Sequence, residues 1–353
     1  MRSVGRVTSV GRVTSVDLAT TLGIAQSTVS RALSNDTRIA VKTRERVQAL
    51  AAELGYTPNA FARSLSTQQS KLIGIVMSEM TSPFYPFVLE KLTSQLHELG
   101  WRVLLFSTDS DHDVDDLLPL VLEYQCDGLI IASANLSSHM SETLIRHGTP
   151  VVLFNRYASD ASSSAVCCDN RGGGRLVADY LLNLDHQRYA YIAGRENTST
   201  NRDRELGFTA RLEAAGFAVQ RETGNFTYEA GFAAMGRLLR GSEAPDAVFC
   251  ANDITAIGAI DAARELGVQV GHEVSVIGFD DIPMAAWSAY KLTTVRQPVK
   301  AMIASSLEIL IGAIEGQVLG SNLRFIPGSL IERGSVRLEA KGKGRKAKGK
   351  ANE

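Results

Sequence analysis

The chain has 353 residues, 44% of them hydrophobic and 21% charged. That is apolar material enough for a buried core and length enough for two or three domains, which excludes a wholly disordered protein. The formal charge is −1, from 37 basic and 38 acidic residues, and taken whole it argues against a nucleic-acid binder.

The charge is unevenly spread. Residues 1–70 hold nine Arg/Lys against four Asp/Glu, and residues 341–353 hold six basic residues against Glu353. Each end is thus five positive charges in surplus, and residues 71–340 are eleven in deficit. A basic head, an acidic body and a basic tail point to separate partners for separate parts. No apolar run approaches the roughly 18–20 residues of a membrane span. Met1–Val16 lacks the apolar stretch of a secretory signal, so no membrane partner is expected. Cys126, Cys167, Cys168 and Cys250 form no CxxC pair. Neither a disulfide framework nor a zinc site is expected, and a reducing cytoplasm is the expected compartment.

The chain starts with a duplicated hexamer, Ser3–Thr8 repeated as Ser9–Thr14. Two copies are too few for a repeat architecture. Residues 1–12 read as a flexible leader, with a basic arm on DNA phosphates as the alternative. Three short helices are expected from Ser15 to Leu54. Ser15 caps the first, Val16–Leu22, and Gly23 breaks it. The second runs from Gln26 to Ser34, with Val29, Ala32 and Leu33 on one face. The third runs from Val41 to Leu54, with Val47, Leu50, Ala51 and Leu54 inward. Two helices joined by a short Gly-containing turn in a basic segment spell a helix-turn-helix, placed at residues 13–58. Pro58 can start a further helix of about two turns, Asn59–Ser66, too short to be stable alone. Residues 59–70 are therefore read as a hinge helix and linker.

From Lys71 the texture is α/β. Expected strands are Leu72–Met77, Val103–Phe106, Gly128–Ala132, Val151–Phe154, Tyr189–Ala193, Ala247–Ala251 and Val274–Phe279. Expected helices lie near Phe84–Leu99, Val114–Tyr124, Ser141–His147, Gly174–Leu184, Arg202–Ala215, Tyr228–Leu239, Ile254–Leu266 and Val299–Ile314. Such alternation gives parallel sheets covered by helices. It is too long for one sheet, so two similar lobes are expected over residues 71–338. Ligands of open α/β sheets bind beyond the carboxyl ends of the strands. Gly172-Gly173-Gly174 is neither GxGxxG nor followed by GKS/T, and reads as chain freedom at a lobe crossover and helix start. Asp280-Asp281 lacks a third carboxylate or histidine nearby in sequence. The histidines make no defensible Ser/His/Asp order. No metal, cofactor or enzymatic activity is expected. Residues 339–353, with KGKGRKAKGK at Lys341–Lys350, read as a disordered tail.

The segments Val13–Ala19, Gly23–Asn35, Lys42–Val47 and Leu54–Asn59 resemble the lactose/galactose repressor family of bacterial transcription factors. The resemblance continues through Ser82-Pro83-Phe84, Asp127–Ile130, Pro150–Val152, Asp169-Asn170, Ala251-Asn252-Asp253, Val276–Asp281 and Leu292–Pro298. It covers about residues 13–335. It implies a helix-turn-helix head and hinge helix, then a two-lobed body like periplasmic sugar-binding proteins. It implies a homodimeric repressor on a pseudo-palindromic operator, controlled by a small ligand, a sugar foremost, between the lobes.

Residue by residue, it implies that Gln26, Ser27 and Arg31 read bases, since Gln suits adenine and Arg suits guanine. Thr14, Ser15, Thr28, Ser30, Asn35 and Arg44 join the DNA-binding set. Asn59, Ala62 and Leu65 belong to the hinge, where Leu65 wedges a base step. Ala25 stands where the family usually has serine, which removes a cap or phosphate contact. In the cleft the resemblance implies Ser82, Phe84, Asn155, Arg156, Asp169, Arg204, Phe226, Asn252, Asp253 and Asp280. Carboxylates there accept from hydroxyls, Arg and Asn donate, and an aromatic face covers a ring. Plainer readings stay open: Asp253 as a helix cap, Arg204 as a surface charge, Phe226 as core. Of the other classes, a transport solute-binding protein is opposed by the missing signal sequence and the basic head, and an enzyme on a nucleotide-binding fold by the lack of a Walker motif, a dinucleotide fingerprint and a catalytic triad; a regulator binding a phosphorylated protein instead of a sugar stays open.

Overall fold

A computed structural model describes residues 13–57, 69–77, 82–107, 114–132, 138–157, 164–317 and 322–337. The duplicated leader, the hinge positions Asn59, Ala62 and Leu65, and the basic tail lie outside the described residues. The chain divides into two compact units, residues 1–70 and 71–353.

The first unit holds α1 (Ser15–Leu22), α2 (Gln26–Leu33) and α3 (Val41–Glu53). Thr14, rather than Ser15, caps α1. Its Oγ1 accepts from the Asp17 N–H at 3.3 Å while Asp17 Oδ2 accepts from the Thr14 N–H at 2.8 Å, a reciprocal capping box. Gly23 ends α1 at φ 66°, a left-handed turn that a residue without Cβ adopts freely. Leu18, Ala19, Val29, Ala32, Val47 and Ala51 are buried together and hold the three helices as one core. Leu54 follows α3 as its C-cap and is exposed, so the inward face ends one turn earlier than the apolar pattern suggests.

The second unit carries two six-stranded sheets. The first-lobe sheet contains β1 (Leu72–Met77), β2 (Arg102–Ser107), β3 (Gly128–Ala132), β4 (Val151–Phe154) and β5 (Ser164–Cys168). The second contains β6 (Tyr189–Ala193), β7 (Val219–Thr223), β8 (Ala247–Cys250), β9 (Ser275–Asp280) and β10 (Thr293–Arg296). Late in the chain, β11 (Leu323–Ile326) joins the first sheet and β12 (Ser329–Ile331) the second. The orders are β2-β1-β3-β4-β5-β11 and β7-β6-β8-β9-β10-β12, the same winding twice. All pairings are parallel except β10 with β12. Each order reverses beside its first strand, the switch point where doubly wound sheets open a crevice.

Helices cover both sheets: α4 (Phe84–Glu98), α5 (Leu118–Glu123), α6 (Ser138–Arg146), α7 (Asn170–Leu182), α8 (Ser199–Glu213), α9 (Tyr228–Arg240), α10 (Asp253–Glu265) and α11 (Val299–Ile314). The chain passes between lobes three times, from β5 to β6, β10 to β11 and β11 to β12. The glycine triplet stands at the start of α7, as expected, and there it also has a packing role. Gly173 and Gly174 lie inside α7, and a β-carbon on Gly174 would meet the Arg204 carbonyl oxygen in α8. Gly207 meets the Arg171 carbonyl in the same way. The two small residues let α7 and α8 approach backbone to backbone, and this sets where Arg204 stands.

Candidate functional site

In the first unit, α2 presents Gln26, Ser27, Ser30 and Arg31 as exposed residues, while Val29 and Ala32 face the core. Positions separated by four residues share a helix face, so these four form one polar strip. The Gln26 amide Nε2 donates to Ser15 Oγ at 2.9 Å, which ties α2 to α1. Thr28 is half-buried. At the N-terminus of α2 Ala25 offers no side-chain cap. The first-turn N–H groups therefore lack the acceptor that a serine supplies. Asn35 adopts φ 59° and its Oδ1 accepts from Gln48 Nε2 at 2.8 Å. Arg44 donates to the Asp36 carbonyl at 3.3 Å, so part of its guanidinium serves the turn between α2 and α3.

In the second unit a cavity opens at the carboxyl ends of the strands of both lobes. Ser82, Phe84 and Tyr85 follow β1, and Asn155 and Arg156 follow β4. From the second lobe come Arg195 after β6, Asn225, Phe226 and Thr227 after β7, and Asn252 and Asp280 at β8 and β9, with Thr200 and Arg204 on α8. Eight of the ten expected cleft residues line this cavity. Asp169 and Asp253 do not. Asp169 caps α7 by accepting from the Gly172 N–H at 2.8 Å. Asp253 is fully buried and accepts from Thr294 Oγ1 at 2.5 Å and the Ile282 N–H at 2.8 Å.

Arg204 is the centre of the wall. It is 2% exposed, with its guanidinium 3.7 Å from the centroid of the Phe279 ring. Its Nε donates to Asn170 Oδ1 at 2.8 Å, Nη1 to the Ala251 carbonyl at 2.6 Å, and Nη2 reaches Asp280 Oδ1 at 3.4 Å. A cation this deep needs such partners, so the surface-charge reading of Arg204 fails. Asp280 Oδ1 also accepts from Gln297 Nε2 at 2.7 Å. Burial pushes the Asp280 carboxyl up to about 6, against the pull of Arg204 and Gln297. Burial, and then the charge of Asp280, push Asp253 well above the carboxylate range.

The backbone around this cavity is unusual. Asn155 (φ 63°), Asn225 (φ 49°), Phe226 (φ 61°) and Asp280 (φ 120°) all line it with positive φ. Each such residue costs on the order of 1–3 kcal/mol, which the surrounding packing must offset, and such strain gathers at binding sites. The Phe226 ring lies against Gly194, where a β-carbon would collide with it. Asn155 Oδ1 is buried with no hydrogen-bond partner among the described residues. The wall therefore contains an acceptor that a ligand donor would satisfy. The described walls enclose about 40 Å³, room for about three waters.

Tyr85, Arg195, Thr200, Asn225 and Thr227 were missed by sequence reasoning. Arg195 follows a correctly placed strand end and was within reach of that rule. Asn225 and Thr227 follow β7, a strand the apolar pattern does not reveal. Among the described residues no cluster of three His, Cys, Asp or Glu side chains is placed to hold a metal, and no helix is long and apolar enough to cross a membrane.

Residues 16–59 match the family model described as bacterial regulatory proteins, lacI family. Residues 178–336 match the periplasmic binding protein-like domain. The chain is 30% identical to the HTH-type transcriptional repressor CytR of Escherichia coli K12, over 89% of this chain and 93% of that protein. It is 31% identical to the ribose operon repressor of the same strain, over 89% and 97%. It is 32% identical to the transcriptional regulator DegA of Bacillus subtilis 168, over 89% and 95%. Its fold is similar to the lac repressor dimer bound to operator and the anti-inducer ONPF, with TM-score 0.85, 27% identity, and 93% and 100% coverage. It is also similar to the CelR–cellobiose complex, with TM-score 0.69, 28% identity, and 92% and 100% coverage. With a helix-turn-helix head, twice-wound lobes and such relatives over nearly all of its length, the chain belongs to the lacI family of bacterial transcriptional regulators.

Proposed function

We propose that this regulator is a cytoplasmic repressor that grips a pseudo-palindromic operator as a homodimer and is switched by a sugar held between its lobes. The carrying observation is the composition of the cavity wall. Ser82, Asn155 and Arg156 come from one lobe, Arg204, Asn252 and Asp280 from the other, and Phe226 supplies an aromatic face. Donors and acceptors in a ring around an aromatic plane suit a hydroxylated ring with one apolar side. The dimer-on-operator and cellobiose-bound relatives support the same reading.

The wall residues come from both lobes, so a ligand that touches them bears on how the lobes are arranged. Ligand binding then shifts the balance between lobe arrangements by its differential affinity for them, and the head's hold on DNA follows. Asn59, Ala62 and Leu65 are proposed to carry that shift as the hinge, and Thr14, Ser15, Gln26, Ser27, Thr28, Ser30, Asn35, Arg31 and Arg44 to make the head's DNA contacts.

The test is a thermal-shift screen of the full chain against sugars, sugar phosphates, sugar acids and nucleosides. A ligand at a hundred times its dissociation constant adds about 2.7 kcal/mol and raises the melting point visibly. The hit should lose its shift in Arg204→Ala and should change operator affinity in the wild type. A hit that binds without changing operator affinity would refute the switch. A screen in which only nucleosides respond would replace the sugar.

A further inference from the structure

We propose that Asp281 is a positioning residue for effector binding: held by Arg296 and Arg333, it fixes the strained turn at the end of β9 that presents the Asp280 carboxylate to the cavity. The proposal rests on the reading of that cavity as the effector site. Of the pair Asp280-Asp281, the first acid then touches the ligand and the second holds the first in place.

The turn does not hold itself. Asp280 (φ 120°) and Asp281 (φ 58°) are consecutive residues at positive φ, and neither is a glycine. Such a pair is unfavourable by itself and persists only where its surroundings fix it. Asp280 is the last residue of β9 and pairs with Arg296 of β10, so the sheet fixes its backbone on one side. On the other side the sheet has ended. There the Asp281 carboxylate, 7% exposed, accepts from Arg296 Nε at 2.6 Å and from Arg333 Nη2 at 2.7 Å, one bond to each oxygen. Arg333 is an anchor rather than a loose surface charge. Its Nη1 donates to the Leu292 carbonyl at 2.7 Å and its N–H to Thr293 Oγ1 at 2.9 Å. One residue further on, the Ile282 N–H donates to Asp253 Oδ2 at 2.8 Å. Both residues that follow Asp280 are thus tied down, and Asp281 does so without lining the cavity itself.

The plainer account is that Asp280 is held by its own bonds, to Gln297 Nε2 at 2.7 Å and Arg204 Nη2 at 3.4 Å, and that Asp281 is an ion pair of the fold only. Both of those bonds engage Oδ1, so the backbone turn sets where Oδ2 points. An effector hydroxyl that donates to Asp280 needs that oxygen in the wall.

The experiment compares full-length wild type, Asp281→Asn and Arg333→Gln, with circular dichroism confirming the fold. Asparagine tolerates positive φ as aspartate does, so the first variant removes the charge and spares the turn's own preference. The first readout is the titration midpoint of Asp280, followed by carboxyl-carbon NMR and assigned by loss of its signal in Asp280→Asn. In the wild type it lies near 6, because burial outweighs Arg204 and Gln297. A loosened turn lets water reach the carboxyl, so the midpoint should fall toward 3.8 in both variants. Charge alone predicts a split: losing the Asp281 anion lowers the midpoint of a neighbouring acid, and losing the Arg333 cation raises it. The second readout is calorimetric titration with a panel of pentoses, hexoses and cellobiose, their phosphates and their acids. A sugar that binds the wild type should bind both variants about tenfold more weakly, the worth of one charge-assisted hydrogen bond.

A midpoint that falls in both variants, with weaker sugar binding in both, upholds the proposal. Any other pattern of midpoints overturns it, and so does an unchanged sugar affinity. If no sugar of the panel binds the folded wild type, the sugar reading fails, and the midpoints still decide whether Asp281 holds Asp280.

Discussion

The Tyr157 hydroxyl donates to Asp203 Oδ2 at 2.7 Å and accepts from Arg202 Nη2 at 2.8 Å. Tyr157 belongs to the first lobe, one residue past Arg156, and Asp203 to the second, one residue before Arg204. The Tyr157 N–H adds a bond to Ser199 Oγ at 3.2 Å. Both lobes are therefore joined at the lip of the cavity through neighbours of residues that line it. Tyr157→Phe removes the hydroxyl and keeps the ring on Phe325, which it meets edge-on at 5.5 Å. The lobes should then part more often, by about 1 kcal/mol in free energy. Hydrogen exchange should quicken at the end of β4 and the first turn of α8, and unchanged exchange there would rule out a latch.

Arg204→Ala should do two things at once. It removes three hydrogen bonds and leaves Asp280 buried beside Gln297 alone. Breaking a buried pair from one side commonly costs about 3–5 kcal/mol, reduced here because Asp280 can protonate. The melting point should fall and effector binding should be lost, while a standard operator titration at low temperature stays near wild type. Loss of operator binding in a folded variant would show that Arg204 acts on the head directly.

Stability should depend on pH with two separable signs. Asp280 titrates near 6 in the folded chain, above its ordinary value of 3.8, so its contribution is full below about pH 4 and is lost as pH rises toward 6. Asp246 is held near 2, against its burial, by His186 and the backbone N–H groups of Arg188 and Gln187. Its contribution is present above about pH 4 and is lost as pH falls toward 2. Urea melts across this range should show both slopes. Asp280→Asn should shrink the upper slope and spare the lower, because burial still holds the Asp253 carboxyl raised, and an upper slope left unchanged would assign it to Asp253 alone.

Gly207→Ala should destabilise the second lobe by about 2 kcal/mol or more, because the added carbon meets backbone and cannot be relieved by a rotamer change. Gly241→Ala is the control: its nearest neighbours would be at 3.4 Å or beyond. Equal melting points for the two variants would mean that α7 and α8 adjust freely.

Thr14→Ala removes one half of the capping box and should cost about 1 kcal/mol of head stability. Amide exchange in residues 15–22 should accelerate while the lobes stay unaffected. No change would place the cap elsewhere.

Much of the architecture was legible because the buried parallel strands are apolar runs. Leu72–Met77, Gly128–Ala132 and Tyr189–Ala193 read directly from the sequence to their observed ends. Five strands escaped, among them the short interior strands Ser164–Cys168 and Thr293–Arg296. Val219–Thr223 is a half-buried edge carrying Gln, Arg and Glu, so no apolar run marks it. Leu323–Ile326 and Ser329–Ile331 are short and gain their identity from partners far away in sequence, β5 and β10. Capping chemistry explains the misplaced details. Thr14 and Ser15 are both competent caps, and the Asp17 carboxylate three residues after Thr14 decides between them. In the cavity, the family resemblance together with the strand-end rule pointed to Asn155, Arg156, Asn252 and Asp280, which line it. It pointed as well to Asp169 and Asp253, whose short side chains turn back to nearby N–H and hydroxyl groups.

The two lobes share one late segment. Residues 322–337 supply β11 to one sheet and β12 to the other, and Ser335 then bonds the Val276 carbonyl and the Thr293 N–H deep in the second lobe. During synthesis, then, neither lobe can close its sheet until this stretch has left the ribosome. The two lobes mature together, although most of the first is translated long before the second. A premature stop or a proteolytic cut just ahead of residue 322 would leave two exposed sheet edges at once, on a chain whose head is already made. Such a product would keep the basic head but lack β11, β12, the Ser335 bonds and the basic tail.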